Sequence, residues 1–217
     1  MLDTRLKMVY DLVQGDVLCD IGTDHGKLPV YAIKSGKCVR ALACDINRGP
    51  LSSARSLITK EGLLDKIKLV LSNGFLAIEQ DDFDKIDCFV MAGMGGELIM
   101  SILSARPTGA YLVLQPQSAF YELVEFLKDN GYSILKQRFC VEGHRRYNAM
   151  LVKKADCSNI DGYFTNAEKS DEFYGFLQKE SERIKSAVSH IEGAKNPDTE
   201  RLQTLRYILS EIEREIK

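Results

Sequence analysis

Apolar positions along the chain recur first at helical spacing and then in short continuous runs. Leu6, Val9, Tyr10 and Val13 share one face of a helix predicted over residues 4–13. Apolar runs at 16–21, 39–46, 66–71, 86–92 and 111–115 then read as strands. Amphipathic stretches between and after them read as helices at 27–35, 50–60, 97–104 and 119–129. Pro29 falls in a first turn, where a missing N–H costs nothing. Gly62, Pro107 and the pair Asn130-Gly131 supply stop signals. Two more strands are predicted at 133–141 and 148–153.

Strands that alternate with helices call for a parallel sheet covered on both faces. The last two strands are joined by only residues 142–147, too few for a parallel crossover, so they must pair antiparallel. A mostly parallel α/β sheet with an antiparallel terminal strand resembles the seven-stranded, Rossmann-like class I fold of S-adenosylmethionine (SAM)-dependent methyltransferases. It differs from the plain dinucleotide-dehydrogenase pattern. After Ala155 the composition turns polar, and 156–165 reads as a linker that few contacts need cross. Two helices follow at 167–192 and 199–216, broken by Asn196-Pro197. Phe173, Leu177, Ile184, Ala187 and Ile191 on the first face Leu202, Leu205, Leu209, Ile212 and Ile216 on the second, the rhythm of an antiparallel, coiled-coil-like hairpin. Two units are expected: a methyltransferase domain over 1–155 and a helical hairpin over 156–217. Removal of the second should leave the first folded.

Length and charge narrow the function. A chain of 217 residues with 45% hydrophobic and 28% charged residues is neither disordered nor fibrous. Lys+Arg 29 against Asp+Glu 31 excludes a protein that is basic throughout, so nucleic-acid contacts must come from local patches. No apolar run reaches the roughly 20 residues of a membrane span, and residues 1–14 carry no signal-peptide core. Six cysteines without a CxxC pair suggest buried thiols, no metal site and a reducing cytoplasmic setting.

Candidate chemistry sits at the ends of the strands. Asp20-Ile21-Gly22-Thr23-Asp24-His25-Gly26 closes the first strand with a tight glycine turn before a helix N-terminus. It lacks the G-x-G-x-x-G fingerprint, and its acids suit a cationic ligand better than a pyrophosphate. A glycine turn capped by Asp24 is the plainer alternative. Asp45, followed by Ile46, ends the second strand where a carboxylate can accept from ribose hydroxyls; a helix cap is the alternative. Ser72-Asn73-Gly74 ends the third, where an amide can meet an adenine edge or simply turn the chain. Ala92-Gly93-Met94-Gly95-Gly96-Glu97 follows the fourth, a loop with room for a substrate to approach, where Gly95 is expected to need positive φ; a helix N-terminus loop without a ligand is the alternative.

These motifs, with Gly49-Pro50, Leu114-Gln115-Pro116 and the strand that follows Gly131, resemble the bacterial tRNA (adenine-22-N1)-methyltransferase (TrmK) family over about residues 4–155. One departure is Ser72-Asn73-Gly74, where relatives often carry Gly-Asp-Gly. The resemblance implies methyl transfer from SAM to N1 of a tRNA adenine in the D-arm region. Cofactor contacts are then expected from Asp20, Gly22, Thr23, Asp24, His25, Asp45, Ile46, Asn73, Gly74, Ala92 and Gly93. Gly93, Met94 and Gly95 would make room for the base, Gln115 would hold its edge, and Asp24 or His25 is a candidate for the proton later lost from N6.

RNA contacts are expected from Arg138, from Arg145 and Arg146 in the turn 142–147, and from Lys179 and Arg183 on the tail, with solvated charged faces as the alternative for each. The tail hairpin could equally mediate dimerisation, so a monomer or weak homodimer is expected. The alternatives are a methyltransferase-like RNA-binding protein without catalysis and, more distantly, an NAD-dependent oxidoreductase.

Overall fold

The computed structural model describes residues 2–217. Its elements run α1 (Thr4–Leu12), β1 (Val17–Ile21), α2 (Lys27–Lys34), β2 (Arg40–Asp45), α3 (Arg48–Lys60), β3 (Ile67–Leu71) and α4 (Gln80–Phe83). There follow β4 (Cys88–Met94), α5 (Gly96–Ala105), β5 (Tyr111–Pro116), α6 (Phe120–Asp129), β6 (Tyr132–Glu142), β7 (Arg145–Lys154), α7 (Asp171–Glu192) and α8 (Thr199–Ile216). One seven-stranded sheet has the order β3-β2-β1-β4-β5-β7-β6. The first five of these pair parallel, and β7 runs antiparallel to both β5 and β6. The expected fold class is borne out.

Alternate residues of one strand feed opposite layers, as the two-residue period requires. On β4, Phe89 and Met91 join Phe75, Ile99 and Leu123 on one face, while Cys88 and Val90 join Val9, Leu28 and Ile58 on the other. Burial on both faces explains why these strands read as unbroken apolar runs. Five of the six cysteines are buried, as expected of small hydrophobes in strands; Cys157 is exposed. No helix among the described residues is long and apolar enough to cross a membrane.

Three expectations change. The hairpin turn is only Gly143 and His144, with Gly143 at φ 60, because both strands run on past their apolar runs. Arg145, Arg146 and Tyr147 therefore lie on β7, not in a turn. The strand β4 continues two residues further, through Gly93 and Met94, with a register shift at that glycine.

The third change concerns the tail. Residues 156–170 are not a contact-poor linker: Ile160, Tyr163 and Phe164 are buried in the layer that holds the sheet. The Gln137 side chain of β6 donates to Tyr163 O and Thr165 O, both at 2.9 Å, and Asn159 bonds both backbone groups of Ile134. The first tail helix begins at Asp171, capped by Ser170, and its Phe173, Phe176, Leu177 and Ile184 join the same layer with Ile208 and Ile212 of α8. The hairpin seam is thus partly a sheet contact. Ile208 is buried and Ile216 is exposed, one step off the expected stripe.

Candidate active site

The strand order reverses at β1, with β2 on one side and β4 on the other, and doubly wound sheets bind ligands outside strand ends at such a point. A cavity of about 380 Å³ lies there, lined by Asp20, Gly22, Thr23, Asp24, His25, Ala92 and Gly93, with Asp3, Arg5, Lys27 and Gln117 among the remainder. Seven of the residues expected from the sequence are therefore brought together.

Gly22 turns the chain at φ 74, and its N–H donates to Cys44 O at 2.8 Å, as does that of Thr23 at 2.9 Å. This ties the end of β1 to the end of β2. Asp20 is buried and accepts from Thr23 Oγ1 at 2.7 Å. Burial pushes its carboxyl up to about 6; the Thr23 hydroxyl and Arg5 oppose the rise, and Asp45 adds to it. Asp24, at φ 53, and His25 stand at the exposed rim, with His25 Nε2 3.5 Å from Asp24 Oδ2.

Asp45 and Ile46 end β2 beside this cavity but outside its wall. The buried Asp45 carboxylate accepts the Asn47 N–H at 2.9 Å through one oxygen. Asn47, not Asp45, occupies the N-cap position of α3, and its side chain makes no capping bond. Ile46 is exposed. At the end of β3, Asn73 is exposed, while Ser72 holds the turn by donating to Gly74 O and accepting from Ala77 N–H. Gly74 has a packing reason: a Cβ there would lie 2.8 Å from Ile102 Cγ1.

The glycine loop divides its work. Gly93, in the bulge of β4, has φ 80, and a Cβ on it would stand 3.3 Å from Arg5 Nη1. Gly95 is the N-cap of α5 at φ −65, so the expected positive φ belongs to Gly93 instead. Gly96 lets backbones meet, because a Cβ would fall 2.6 Å from Ala119 O. Met94 is half-buried, with its methyl 3.1 Å from where a Cβ of Gly22 would be.

The expectation that Gln115 holds a substrate edge is corrected. Gln115 is fully buried; its Oε1 accepts from Arg5 Nη1 at 2.9 Å and Gly93 N–H at 3.1 Å, and its Nε2 donates to Pro116 O at 2.9 Å. It positions the bulge and Arg5. Arg5 and the exposed Gln117 line the cavity unannounced by the sequence, because neither stands in a motif.

The basic residues separate into paired and free. Arg138 is spent between Asp11 Oδ2 at 3.0 Å and Glu168 Oε2 at 2.9 Å, which corrects its RNA role. Arg146 and Arg183 both reach the buried Glu180, at 2.9 Å and 2.5 Å, and Tyr121 donates to the same carboxylate at 3.1 Å. Burial opposes ionisation of Glu180, but the two guanidiniums outweigh it and hold its pKa below the usual value. Lys179 donates to Gly143 O at 2.5 Å, and Arg145 is exposed.

A family model described as a methyltransferase domain matches residues 2–150. The chain is 33% identical over 160 residues to the tRNA (adenine(22)-N(1))-methyltransferase of Bacillus subtilis (strain 168), covering 71% of this chain and 66% of that relative. The solved B. subtilis M1A22 tRNA methyltransferase TrmK superposes with a TM-score of 0.83 at 27% identity, covering 100% of this chain and 99% of that one. Streptococcus pneumoniae Sp1610, solved in complex with S-adenosyl-L-methionine, superposes with a TM-score of 0.82 at 29% identity over 100% of both chains. These matches bear out the resemblance read from the motifs. The strand order, the acidic turn after β1 and the family match together lead to one statement: this chain belongs to the methyltransferase domain family.

Proposed function

We propose that the protein transfers a methyl group from SAM to N1 of adenine 22 in tRNA. The observation that carries the reading is the cavity at the switch point, where buried Asp20 and the Gly22 turn face the Gly93 bulge. The names of the full-length relatives support the same substrate.

The residues present fit the cofactor. Asp20 and Asp24 offer negative charge to an ammonium or sulfonium, and Arg5 and Lys27 stand on the same cavity to meet a carboxylate. The second oxygen of Asp45 suits ribose hydroxyls, and the Asn73 amide suits the adenine edge. When bound, the cofactor supplies a methyl group activated by its positive sulfur. The chain's own task is alignment: Gln115 fixes the Gly93 bulge and Arg5, and the absence of a Cβ at Gly93 gives the Arg5 guanidinium room at the cavity wall. Adenine N1 carries an in-plane lone pair, so no group on the chain has to remove a proton before attack. Extruding the base from a helix costs a few kcal/mol, which contacts outside the cavity must offset. Arg145 and Lys179 lie toward the tail for that purpose, whereas Arg146 and Arg183 are held by Glu180. The protein then works in the cytoplasm, as a monomer or weak homodimer.

Incubation of tRNA with the protein and SAM, followed by mass mapping, should place one methyl group on N1 of adenine 22. Asp45→Ala should weaken SAM binding by about 1.5–3 kcal/mol, the worth of hydrogen bonds to a charged acceptor. Unmodified tRNA, or a methyl group on another atom, overturns the assignment.

A further inference from the structure

A second cavity, of about 490 Å³, opens on the far side of Gln117, which lines both cavities. That volume is within the roughly 300–1,000 Å³ that holds small ligands. Its floor carries Asn148 of β7, which is only 4% exposed and whose side-chain nitrogen has no hydrogen-bond partner. An unmade bond on a buried amide is costly, so one that also lines an open cavity marks a place where a ligand can complete it. The contrast with Gln115 is direct, since that amide has all its bonding absorbed by the chain.

Register sets the distance to the first cavity. The β5–β7 pairing Leu114↔Met150, continued by two residues, sets Asn148 beside Pro116, which itself pairs with Met94 of β4. Asn148 thus lies two strand spacings, about 10 Å, from the glycine loop. Around it, Phe120, Tyr121 and Phe176 provide ring faces, and the guanidiniums of Arg146, Arg183 and Arg201 face the carboxylates Glu180 and Glu122. Arg201 makes no ion pair among the described residues, so the mouth is left with a free positive charge. Ring faces, an amide and guanidiniums together suit a nucleotide: base, base edge and phosphate.

Resting on the function proposed above, we propose that this cavity seats the target adenosine, with the Asn148 amide gripping its N6/N7 edge. A carboxamide accepts from N6–H and donates to N7 in one bidentate contact. That grip uses the edge that adjoins the reacting one and shares only N6 with it, so N1 is left free to face the Gly93 bulge. Guanine presents two acceptors, O6 and N7, on the same edge and cannot satisfy the amide oxygen. Asn148 is therefore a specificity-determining residue, and Arg201, which makes no ion pair among the described residues, is left to meet the phosphate of the extruded nucleotide.

The test uses the full chain, SAM and a tRNA assembled with either adenosine or 7-deazaadenosine at position 22. Removing N7 leaves the N1 lone pair in place. The wild-type kcat/KM should fall about 10–100-fold on the 7-deaza RNA. Asn148→Ala should lose a similar factor on the adenosine RNA and nothing further on the 7-deaza RNA, with SAM affinity and thermal midpoint unchanged. Equal wild-type turnover on both RNAs, or losses that multiply, overturns the seat while leaving the activity standing. If Asn148→Ala does not fold, the two RNAs on the wild type decide alone. A wild type that methylates neither RNA overturns the activity, and this seat with it.

Discussion

Two buried carboxylates, one at each end of the reactive edge, are handled in opposite ways. Asp20 has a single side-chain partner, the Thr23 hydroxyl, and burial drives its pKa up. Glu180 is as deeply placed, yet two arginines and a tyrosine saturate it and its pKa goes down. The first is a charge whose partner is missing from the chain; the second is a charge whose partners are built in. The amides Asn148 and Gln115 repeat the contrast. Incomplete bonding at a cavity wall thus points to a ligand and complete bonding to architecture; the Tyr132 hydroxyl and Gln137 Oε1 also lack partners but line neither cavity.

The severest challenge to that comparison is to remove the tail that carries Glu180. Ending the chain at Ala155 deletes Phe173, Phe176, Leu177 and Ile184 of the helix that packs on the sheet, with Ile208 and Ile212 of the helix behind it, all buried in the same layer. At about 1.5–3 kcal/mol each, their loss rivals the whole stability of a domain. The shortened chain should be insoluble or unfolded by circular dichroism, contrary to what the polar composition of 156–165 implies. A soluble fragment that still binds SAM would make the tail a separate module after all.

Asp20→Asn comes next. A pKa raised from 3.8 to about 6 means that the folded state holds this proton more tightly than the unfolded state. Its contribution to stability is full below the unfolded value and is lost as pH rises through the folded one, about 3 kcal/mol by pH 7. The Asn variant should therefore melt higher than the parent at pH 7, converge with it near pH 4, and bind SAM at least tenfold more weakly. Unchanged melting and unchanged affinity would remove Asp20 from the cofactor site.

Glu180→Gln should move stability the other way and by less. The depressed pKa of Glu180 contributes stability above the unfolded value that is lost as pH falls through the folded one. Removing the charge leaves Arg146 and Arg183 facing each other and should cost about 2 kcal/mol at pH 7, with SAM affinity unaffected. Denaturant titration at pH 7 and pH 4 checks both parts, and a variant as stable as the parent at pH 7 would show that the cluster is solvated.

What could be read in advance was whatever depends on local pattern. Strand runs buried on both faces, the glycine turn after β1 and the short final connection specified a parallel sheet with an antiparallel end. They also put Asp20, Gly22 and Gly93 on a single edge. Residues whose role depends on a distant neighbour were illegible. Arg5 sits on a plain amphipathic helix, 110 residues from the Gln115 it grips. Arg138 looked free because its acids, Asp11 and Glu168, lie far away in sequence. The Asp156–Thr165 segment looked like a linker because its three buried apolar residues, Ile160, Tyr163 and Phe164, are spaced too irregularly to reveal a buried face.

The sequence by itself determined the order of elements, the pairing sense of the sheet and the acidic glycine turn, since these follow from periodicity, loop length and backbone freedom within a few residues. Only the tertiary structure decided which polar groups are satisfied. Gln115, Arg138 and Glu180 find partners across the fold and Asn148 finds none, because hydrogen bonding in the interior is settled by packing between segments that no local pattern relates.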